Sequence, residues 1–460
     1  SALLKVCSSC VDVGLGHLQL SRATNTLSGG EGQRLRISRD LWARLDHACY
    51  VIDEPTRGLH TQDVLGVCRS LEKLRTPQNC VLLVEHNPVL VSHADRVIEL
   101  GPQGGAGGGE VLYDGPPAGC SLLDNFSAPS LPAEIGEATG WIVVKNANLR
   151  IILNQSFRLP LGKMTCFTGV SGSGKTTVTA GVLLPALELL QNGLGHVVSH
   201  AGEVFCEGVE SFRLVYLSQS PLGGSYRSRV LTHLGLGDLF RDWFCETSGA
   251  VGSSVTASHF SSNTPEGQCV TCEGRGRVQQ GSADDEVCPS CCGSGFNPEA
   301  SFFRAHDWSI TEWMHCSFSE LALRQELPAI ICYAAARAEE LGLGHLTLGR
   351  PVPSLSGGEC QRLRIVKALL DTGSHRNAGA KQHLVVVMDE PSAGLHRRDV
   401  QHLITALKKN ISDKGHTLLL IEHNLQLIGH ADWIVDIGPG SAAQGGKVMF
   451  CGSQRDFLQS

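Results

Sequence analysis

The sequence predicts an α/β fold in which a mostly parallel sheet is flanked by helices. Three observations carry this prediction. A short apolar run, Met164 to Gly169, leads directly into GVSGSGKTT at 169–177, and a helix is expected to follow. Two other apolar runs, YVIDE at 50–54 and LVVVMDE at 384–390, end in Asp-Glu, which is typical of buried parallel strands with carboxylates at the ligand-binding edge. Finally, long stretches of the chain occur twice.

The glycine-rich stretch at 169–177 fits the phosphate-binding pattern G-x-x-x-x-G-K-[ST]. Glycines let the backbone approach a polyphosphate, because a Cβ would block that approach. Backbone amides and the dipole of the following helix would attract the anion. Lys175 would neutralise the β- and γ-phosphates, and the Thr176 hydroxyl would join the coordination shell of Mg²⁺. The predicted nucleotide-binding residues are Gly169, Gly172, Ser173, Gly174, Lys175, Thr176 and Thr177.

The repeats define two copies of one ATP-binding half. GLGHL occurs at 14–18 and 342–346, and LSGGE occurs at 27–31 and 355–359, with the same offset of 328 residues. The DEP and EHN motifs also occur twice, with offsets of 336 and 337. GSHRNAGAK at 373–381 is polar and contains glycine, so we expect a surface loop there that absorbs the first change of offset.

LSGGE is expected to open a helix in each copy. Its small residues would then lie at a helix amino terminus, which suits docking onto a γ-phosphate from the opposite side. In the first copy these residues are Ser28, Gly29 and Gly30.

Three further residues of the second copy suit hydrolysis. Asp389 would act through Mg²⁺, and Glu390 would polarise the attacking water as a general base. His423 follows the predicted strand HTLLLIEH and would hold the γ-phosphate or that water. A capping role for the aspartate and a structural role for the histidine are the alternatives for each residue taken singly.

Four cysteines predict a metal site between the phosphate loop and the second LSGGE. Two C-x-x-C pairs are separated by fifteen residues, a spacing that fits a four-thiolate zinc site, and Gly-x-Gly follows each pair. The predicted ligands are Cys269, Cys272, Cys288 and Cys291. Another metal or an incidental cluster is the alternative, and Cys292 could compete with its neighbour. Cys7 and Cys10 also form C-x-x-C but have no second pair nearby, so we interpret them as ordinary helix cysteines.

Together these motifs resemble the ABC ATPase superfamily, and the cysteine-bearing insert narrows the resemblance to the bacterial nucleotide-excision-repair family UvrA. LVYLSQSPLGGSYRSR at 214–229 resembles the family's Gln-loop segment, with Gln219 in the catalytic glutamine position. The resemblance covers nearly the whole chain. It implies ABC-type cores with a helical signature segment and a zinc-knuckle insert. It also implies an ATPase that uses ATP, Mg²⁺ and Zn²⁺, binds double-stranded DNA and has no nuclease activity of its own.

The resemblance also divides the chain. Residues 1–120 resemble the end of the first ATPase half from its signature onward, with no phosphate loop before Leu27. Residues 121–140 are interpreted as a linker, and 141–460 as the second half, with a zinc-binding insert at 240–318. Against a full family member this is roughly the carboxyl-terminal half, and Ser1 rather than Met fits a fragment or split protein.

One composite ATP site can therefore be fully supplied by this chain, from Lys175 and the acidic residues of the second half, closed by Ser28 and Gly30. The other would hold Asp53, Glu54 and the second signature without a phosphate-binding lysine, and we expect it to be inactive unless another chain completes it. Expected partners are a homodimer or such a second chain, and a UvrB-like protein, although the family's UvrB-binding insert is absent.

Composition limits these functions. The formal net charge is −7, so any contact with DNA must come from a local basic patch. Eighteen cysteines in 460 residues, without a signal segment, indicate a reducing cytoplasm. No apolar run reaches the roughly 18–20 residues of a membrane span, so no membrane contact is expected.

Three functions are compatible with the sequence: a damage-recognising UvrA-like ATPase, a resistance-type or truncated relative without damage recognition, and a transporter ATPase subunit. The cysteine-bearing insert speaks against the transporter. Residues 247–263 contain no Arg or Lys where UvrA proteins carry an Arg-rich approach to the zinc module, which weakens the first function. The remaining candidates for phosphate contacts are Arg227, Arg229, Arg241, Arg275 and Arg277, and solvated surface charge is their alternative role.

Overall fold

The computed structural model describes residues 2–16, 18–24, 29–43, 46–56, 59, 61–101, 108–123, 137–218, 225–250, 254–278, 286–373, 383–393, 395, 397–440 and 444–459. Ser28, Gln219, most of the predicted linker and all but the first residue of the predicted loop at 373–381 lie outside these residues. The backbone of the described residues forms two compact units. One comprises the described residues of 1–102, 108–218 and 381–460, and the other comprises the described residues of 219–380.

The first half of the repeat forms two small sheets with helices. Its elements are α1 (Ala2–Asp12), α2 (Gly29–Ala43), β1 (Cys49–Asp53), α3 (Thr61–Leu74), β2 (Cys80–Val84), α4 (Pro88–Val91), β3 (Val97–Gly101) and β4 (Glu110–Gly115). Strands β1 and β2 are parallel, whereas β3 and β4 are antiparallel. Apolar residues of α3 pack with Tyr50 and Ile37 in one buried cluster. Cys7 and Cys10 lie in α1, as predicted.

The second half begins with two antiparallel strands and then the central strand of the main sheet. Its elements up to residue 217 are β5 (Trp141–Leu149), β6 (Ile152–Pro160), β7 (Met164–Thr168), a π-helical turn (Thr177–Leu183), α5 (Leu184–Gln191), β8 (His196–Ser199), β9 (Gly202–Glu207) and β10 (Phe212–Leu217).

The other compact unit is built from short elements that end in the signature helix. They are α6 (Val230–His233), α7 (Gly237–Thr247), β11 (Arg277–Val278), β12 (Glu286–Val287), β13 (Arg304–Ala305), β14 (Trp308–Ser309), α8 (Ile310–His315), α9 (Phe318–Leu321), α10 (Ala329–Glu340) and α11 (Gly357–Gly373). Its aromatic residues pack around Trp313, whose indole N–H donates to the Ala305 carbonyl (3.1 Å).

The chain then returns to the main sheet. The remaining elements are β15 (His383–Asp389), α12 (Arg397–Asn410), β16 (Thr417–Ile421), α13 (Leu425–Ile428), β17 (Trp433–Gly438), β18 (Lys447–Ser453) and α14 (Gln454–Phe457). The six-stranded sheet has the order β10-β15-β16-β7-β17-β18, and all neighbours are parallel except β17 and β18. The predicted mostly parallel sheet with flanking helices is therefore confirmed.

Strand β7 lies at the centre of this sheet, and all five of its residues are buried. A second, antiparallel sheet has the order β6-β5-β9-β8. Apolar side chains from both sheets and from helical residues 178–190 form one buried cluster. This core fixes β7, and therefore the start of the glycine-rich loop. None of the described helices is long and apolar enough to cross a membrane.

Candidate nucleotide-binding site and metal centre

The glycine-rich loop follows β7 directly and needs its glycines. Gly169 has φ +133°, and a Cβ built on it would lie 2.0 Å from the Ile437 carbonyl oxygen of neighbouring β17. Gly174 has φ +108°, and its Cβ would lie 2.9 Å from Ile152 Cδ1. Gly172 also has a positive φ, of +76°. Side chains at these positions would therefore be strained or would clash with the sheet.

Lys175 and Ser173 give the loop its chemistry. The Lys175 ammonium is buried and donates to the carbonyl oxygens of Gly169 (2.8 Å) and Val170 (2.9 Å), so it lies across the loop. The Ser173 Oγ is buried, and no described residue bonds to it. A buried hydroxyl without a protein partner is costly, and a phosphate oxygen would satisfy it. The loop therefore fits a bound polyphosphate.

Helical backbone begins directly after the loop. Val178 N donates to the Gly174 carbonyl (2.9 Å), and residues 177–183 then continue as a π-helical turn before α5. Thr176 is exposed and Thr177 is half-buried at this helix start. The loop amides and the threonine hydroxyls thus lie at a helix amino terminus, where an anion is favoured.

Asp389 ends β15 and lies close enough to Lys175 for their charges to interact. Burial raises the pKa of the Asp389 carboxyl to about 7, the charges of Glu390 and Glu422 add to this, and Lys175 opposes it. A cluster of carboxylates that is partly shielded from water beside a phosphate loop would be stabilised by a divalent cation. The residues present therefore fit Mg²⁺ bound with a nucleotide.

Glu390 and His423 meet at the carboxyl ends of β15 and β16. His423 Nε2 lies 3.5 Å from Glu390 Oε1. Glu390 has φ +45°, an uncommon conformation for glutamate, and its N–H donates to the Ile421 carbonyl (2.9 Å). The pair can hold a water molecule between a base and a second polar group.

Glu422 is a site residue that motif reading alone does not single out. It is buried and accepts N–H bonds from Ser392 (2.8 Å), His423 (2.9 Å) and Asn424 (3.0 Å). These bonds fix the turn that carries the catalytic candidates. Glu85 repeats the arrangement in the first half, where it accepts from the amides of Thr56, His86 and Asn87. The sequence does contain a sign of this role, because a glutamate precedes the histidine in both copies of the repeat.

The first half repeats the acidic geometry as well. Glu54 has φ +44°, and His86 Nε2 lies 3.9 Å from Glu54 Oε1. Asp53 ends β1 as Asp389 ends β15. The described part of this half carries no phosphate loop, so its carboxylates have no equivalent of Lys175.

The second signature opens α11 with a reciprocal cap. Ser356 N donates to Glu359 Oε2 (2.7 Å), and Glu359 N donates to Ser356 Oγ (3.2 Å). His345 Nε2, from the repeated GLGHL motif, lies 2.8 Å from Glu359 Oε1. Burial alone would raise the pKa of Glu359, but the bonds from His345 and Ser356 lower it to about 2.

In the first signature the described helix α2 begins at Gly29, and its backbone includes Gly30. Arg22 lies 3.6 Å from Glu31 there. Ser28 lies outside the described residues, so the contacts of this signature stay a prediction.

The four predicted cysteine ligands come together. Their sulfur atoms lie within 4.8 Å of one another, and all four residues are buried. Cys269 and Cys288 Sγ are 3.9 Å apart, and Cys272 and Cys291 Sγ are 3.7 Å apart. Four sulfurs arranged tetrahedrally at a zinc–sulfur distance of 2.3 Å lie about 3.8 Å apart, so the cluster fits zinc.

The glycines after each pair supply donors to the sulfurs. Gly276 N donates to Cys272 Sγ (3.1 Å), and Gly295 N donates to Cys291 Sγ (3.3 Å). Such bonds orient thiolates and disperse their charge. Cys292 is exposed and outside the cluster.

Comparison with known proteins identifies relatives over the whole chain. UvrABC system protein A of Helicobacter pylori is 35% identical over 466 residues, which is 98% of this chain and 49% of the relative. The protein of the same name from Aquifex aeolicus is 34% identical over 474 residues, 98% of this chain and 49% of the relative. The chain thus spans about half the length of these two relatives. No protein-family model matches the chain.

Comparison with solved structures also finds a UvrA protein. UvrA2 from Deinococcus radiodurans has a TM-score of 0.87 at 34% identity, over 98% of this chain and 55% of that protein. The RNase-L inhibitor has a TM-score of 0.51 at 17% identity, over 99% of this chain and 70% of that one, which supports the fold alone. The predicted α/β fold of ABC type, with a cysteine cluster that fits a zinc knuckle, is confirmed. From its repeated motifs, its fold and these relatives, the chain belongs to the UvrA family of ABC ATPases.

Proposed function

We propose that this chain binds and hydrolyses ATP with Mg²⁺, and that it acts on double-stranded DNA in nucleotide excision repair. The observation that carries the ATPase proposal is the convergence of Lys175, Asp389 and the Glu390–His423 pair at the carboxyl edge of one sheet. The proposal for DNA rests on family membership. A cytoplasmic location, a single composite site and the division into 1–120, 121–140 and 141–460 remain parts of this proposal.

Each residue has one role in the proposed hydrolysis. Lys175 and the loop amides bind the β- and γ-phosphates, and Thr176 and Asp389 would hold Mg²⁺, whose charge offsets that of the phosphates. Glu390 accepts a proton from the attacking water, and His423 keeps that water or the γ-phosphate in place. Gln219 would assist at this edge, and Ser28, Gly29 and Gly30 would close the site from the first signature.

We also propose that the four cysteines hold one structural Zn²⁺. The sulfur–sulfur distances and the two glycine N–H donors support this assignment. Arginines lie near the first knuckle. Arg275 and Arg277 are exposed and follow Cys272 in the chain, and both Arg227 and Arg275 lie 3.4 Å from Glu273. Because Glu273 partly balances this charge, we expect contacts with few phosphates, so the affinity for DNA should fall only gradually as the salt concentration rises.

The partner proposal rests on an uncovered sheet face in the first half. Val51, Leu82 and Ile98 are 72%, 54% and 59% exposed. Their counterparts in the repeat, Val387, Leu419 and Val435, are at most 2% exposed. In the second half, β7 lies between β16 and β17, whereas the described strands β2 and β3 belong to separate sheets.

The occupant of this face would therefore be a polypeptide segment with an apolar strand, a phosphate loop and a helix. Such a segment would pair with β2 in the register that β7 has with β16, where Leu418 faces Met164. It would also bring a lysine to Asp53 and Glu54. A UvrB-like repair partner is part of the proposal only through the family.

Hydrolysis by the purified chain tests the ATPase proposal. We expect slow Mg²⁺-dependent release of phosphate that Lys175→Ala abolishes. Phosphate release that persists in Lys175→Ala would contradict it. A titration of DNA at several salt concentrations tests the second part, and tight binding with no dependence on salt would contradict phosphate contacts.

An ATPase without damage recognition is the second candidate, because residues 247–263 contain no Arg or Lys. Damaged and intact duplexes of equal length distinguish the two candidates. Stronger binding to the damaged duplex favours recognition of damage, and equal binding favours the second candidate.

A further inference from the structure

Arg229 is a buried arginine of the unit that holds the cysteine cluster, with 6% of its surface exposed. Its guanidinium donates to three backbone carbonyls and to no carboxylate among its described bonds. Nη1 bonds to Gly349 O (2.8 Å), and Nη2 bonds to Ser294 O (3.0 Å) and Gly274 O (3.4 Å). A buried cation held only by carbonyls is costly unless a negative charge lies nearby.

Two of these carbonyls belong to the turns that follow the cysteine pairs. Gly274 lies two residues after Cys272, and Ser294 lies three residues after Cys291. The Ser294–Gly295 peptide group is bonded at both ends: its oxygen accepts from Arg229, and its N–H donates to Cys291 Sγ. A cation at the oxygen polarises the peptide and strengthens the N–H bond to a thiolate at the other end.

Gly295 makes this close approach possible. It has φ +78°, and a Cβ there would lie 2.6 Å from Arg229 Nη2. Four thiolates around Zn²⁺ carry a net charge of −2, so the guanidinium also compensates charge where the site needs it.

The third carbonyl belongs to the segment that leads into the signature helix. Gly349 lies seven residues before Ser356. The backbone on both sides of Arg229 pairs with this segment: Val230 N donates to Arg350 O (3.0 Å), and Val352 N donates to Ser228 O (2.8 Å). Arg350 in turn helps to hold Glu359, the capping residue of α11, in its charged form.

We propose that Arg229 is a positioning residue that couples the four-cysteine metal centre to the signature segment 348–356. With metal bound, the knuckle turns hold the guanidinium, and the guanidinium holds Gly349. Without metal the turns loosen, and the signature segment loosens with them. Coupling of this kind is reciprocal, so a change at Arg229 also weakens metal binding. The metal identity rests on the zinc assignment above, but the coupling itself needs no hydrolysis.

Two readouts on the purified chain test the coupling. The first is the rate at which a chelating dye extracts zinc, and the second is hydrogen exchange of the Val230 and Val352 amides with and without zinc. In the wild-type chain we expect zinc removal to accelerate exchange at both amides. Arg229→Met should release zinc roughly 10-fold faster, as typical for loss of a residue that orients metal ligands. It should also show fast exchange whether or not zinc is present.

Arg227→Met is the matched control, because Arg227 lies two residues away but is exposed and bonds to Glu273. It should leave both readouts at their wild-type values. Arg229→Lys keeps the charge but cannot bond to three carbonyls, so its rates of zinc release and amide exchange should lie between those of the wild type and of Arg229→Met. It carries the test if the methionine variant does not fold. Cobalt substitution adds a spectroscopic readout, since the thiolate-to-metal absorption should shift most in Arg229→Met and should not shift in Arg227→Met.

The proposal is overturned if the lysine variant matches the wild type in both readouts, or if zinc removal leaves the Val352 amide protected in the wild-type chain. A chain with no ATPase activity but with this exchange behaviour would contradict the proposed function and support the coupling. Absence of zinc from chain purified without chelators would contradict both the zinc assignment and the coupling.

Discussion

Glu390 and Glu54 adopt the same left-handed backbone conformation, with φ +45° and +44°, in halves that differ in their phosphate loops. Each follows a strand that ends in Asp, and each lies near a histidine from the next strand. The local backbone geometry is therefore similar, and the described part of the first half has no counterpart of the Lys175 loop. This pair lets one glutamate serve as the internal control for the other.

We predict that Glu390→Gln lowers ATP hydrolysis by a factor of roughly 10²–10⁴, because the amide cannot accept the proton of the attacking water. Glu54→Gln should leave the rate nearly unchanged. Steady-state phosphate release by the two variants and the wild type measures both effects. Loss of turnover in Glu54→Gln with normal turnover in Glu390→Gln would show that the sites are assigned the wrong way round.

Glu359 should make the free energy of unfolding depend on pH. Its pKa of about 2 in the folded chain is below the ordinary value of 4.5, so its charged form stabilises the folded state above about pH 4.5. That contribution, on the order of 2 kcal/mol, is lost progressively as the pH falls towards 2. Urea titrations should therefore find Glu359→Gln less stable than the wild type at pH 7.

The difference between Glu359→Gln and the wild type should narrow below pH 5, and comparing the two chains at each pH cancels effects of metal loss. A difference that grew on acidification would contradict the assigned hydrogen bonds from His345 and Ser356.

At the level of elements, the sequence predicts those strands whose apolar runs end in a recognisable group. Residues 164–168 and 384–389 are fully or nearly buried strands that precede the glycine loop and the Asp-Glu pair, and both were predictable. The antiparallel sheet was not specified, because β6, ILNQSFRLP, mixes polar and apolar residues without a motif. Its partners are separated in sequence, since β5 pairs with β9 across some sixty residues that include the phosphate loop.

The cysteine cluster was predictable from spacing alone, because a metal brings together ligands that hydrophobic patterns do not specify. The cysteine spacing does not reveal the role of Arg229, because that role depends on the carbonyl groups of three residues that are far apart in the sequence. Glu422 bonds to backbone amides, so the only sequence sign of its role is its repetition as Glu85 before the other histidine.

Removal of one ligand tests the cluster as an element. Cys288→Ser should release about one zinc per chain and lower the urea midpoint of the unit, because metal binding contributes to folding free energy. Cys292→Ser is the matched control, since that exposed neighbour lies outside the cluster and should keep its zinc. Metal analysis by mass spectrometry measures both, and equal zinc loss in the two variants would contradict the ligand set.

In the molecule as a whole, the parallel strands of the two halves pair in the same register, but one sheet face is exposed in the first half and buried in the second. Cys49 faces Cys80 as Val385 faces Thr417, at equivalent positions of the repeat. Yet the face of β1 and β2 that carries Val51 is exposed, whereas the equivalent face of the second half lies in its main core. Apolar sheet faces left open in this way invite association with another polypeptide.

Light scattering of the isolated chain should therefore detect self-association. Val51→Lys should reduce it by placing a charge on the open face. Val198→Lys is the control, because Val198 is 70% exposed on the other, antiparallel sheet. A stable monomer in which residues 1–120 unfold cooperatively would contradict the idea that this half needs a partner.

We propose that this chain holds one competent nucleotide site, supplied by the single glycine-lysine loop of its sequence. Equilibrium dialysis with a labelled, non-hydrolysable ATP analogue and Mg²⁺ counts these sites directly. We expect about one nucleotide per chain, lost in Lys175→Ala and retained in Asp53→Asn. Two nucleotides per chain, or one nucleotide that survives Lys175→Ala and disappears in Asp53→Asn, would contradict it.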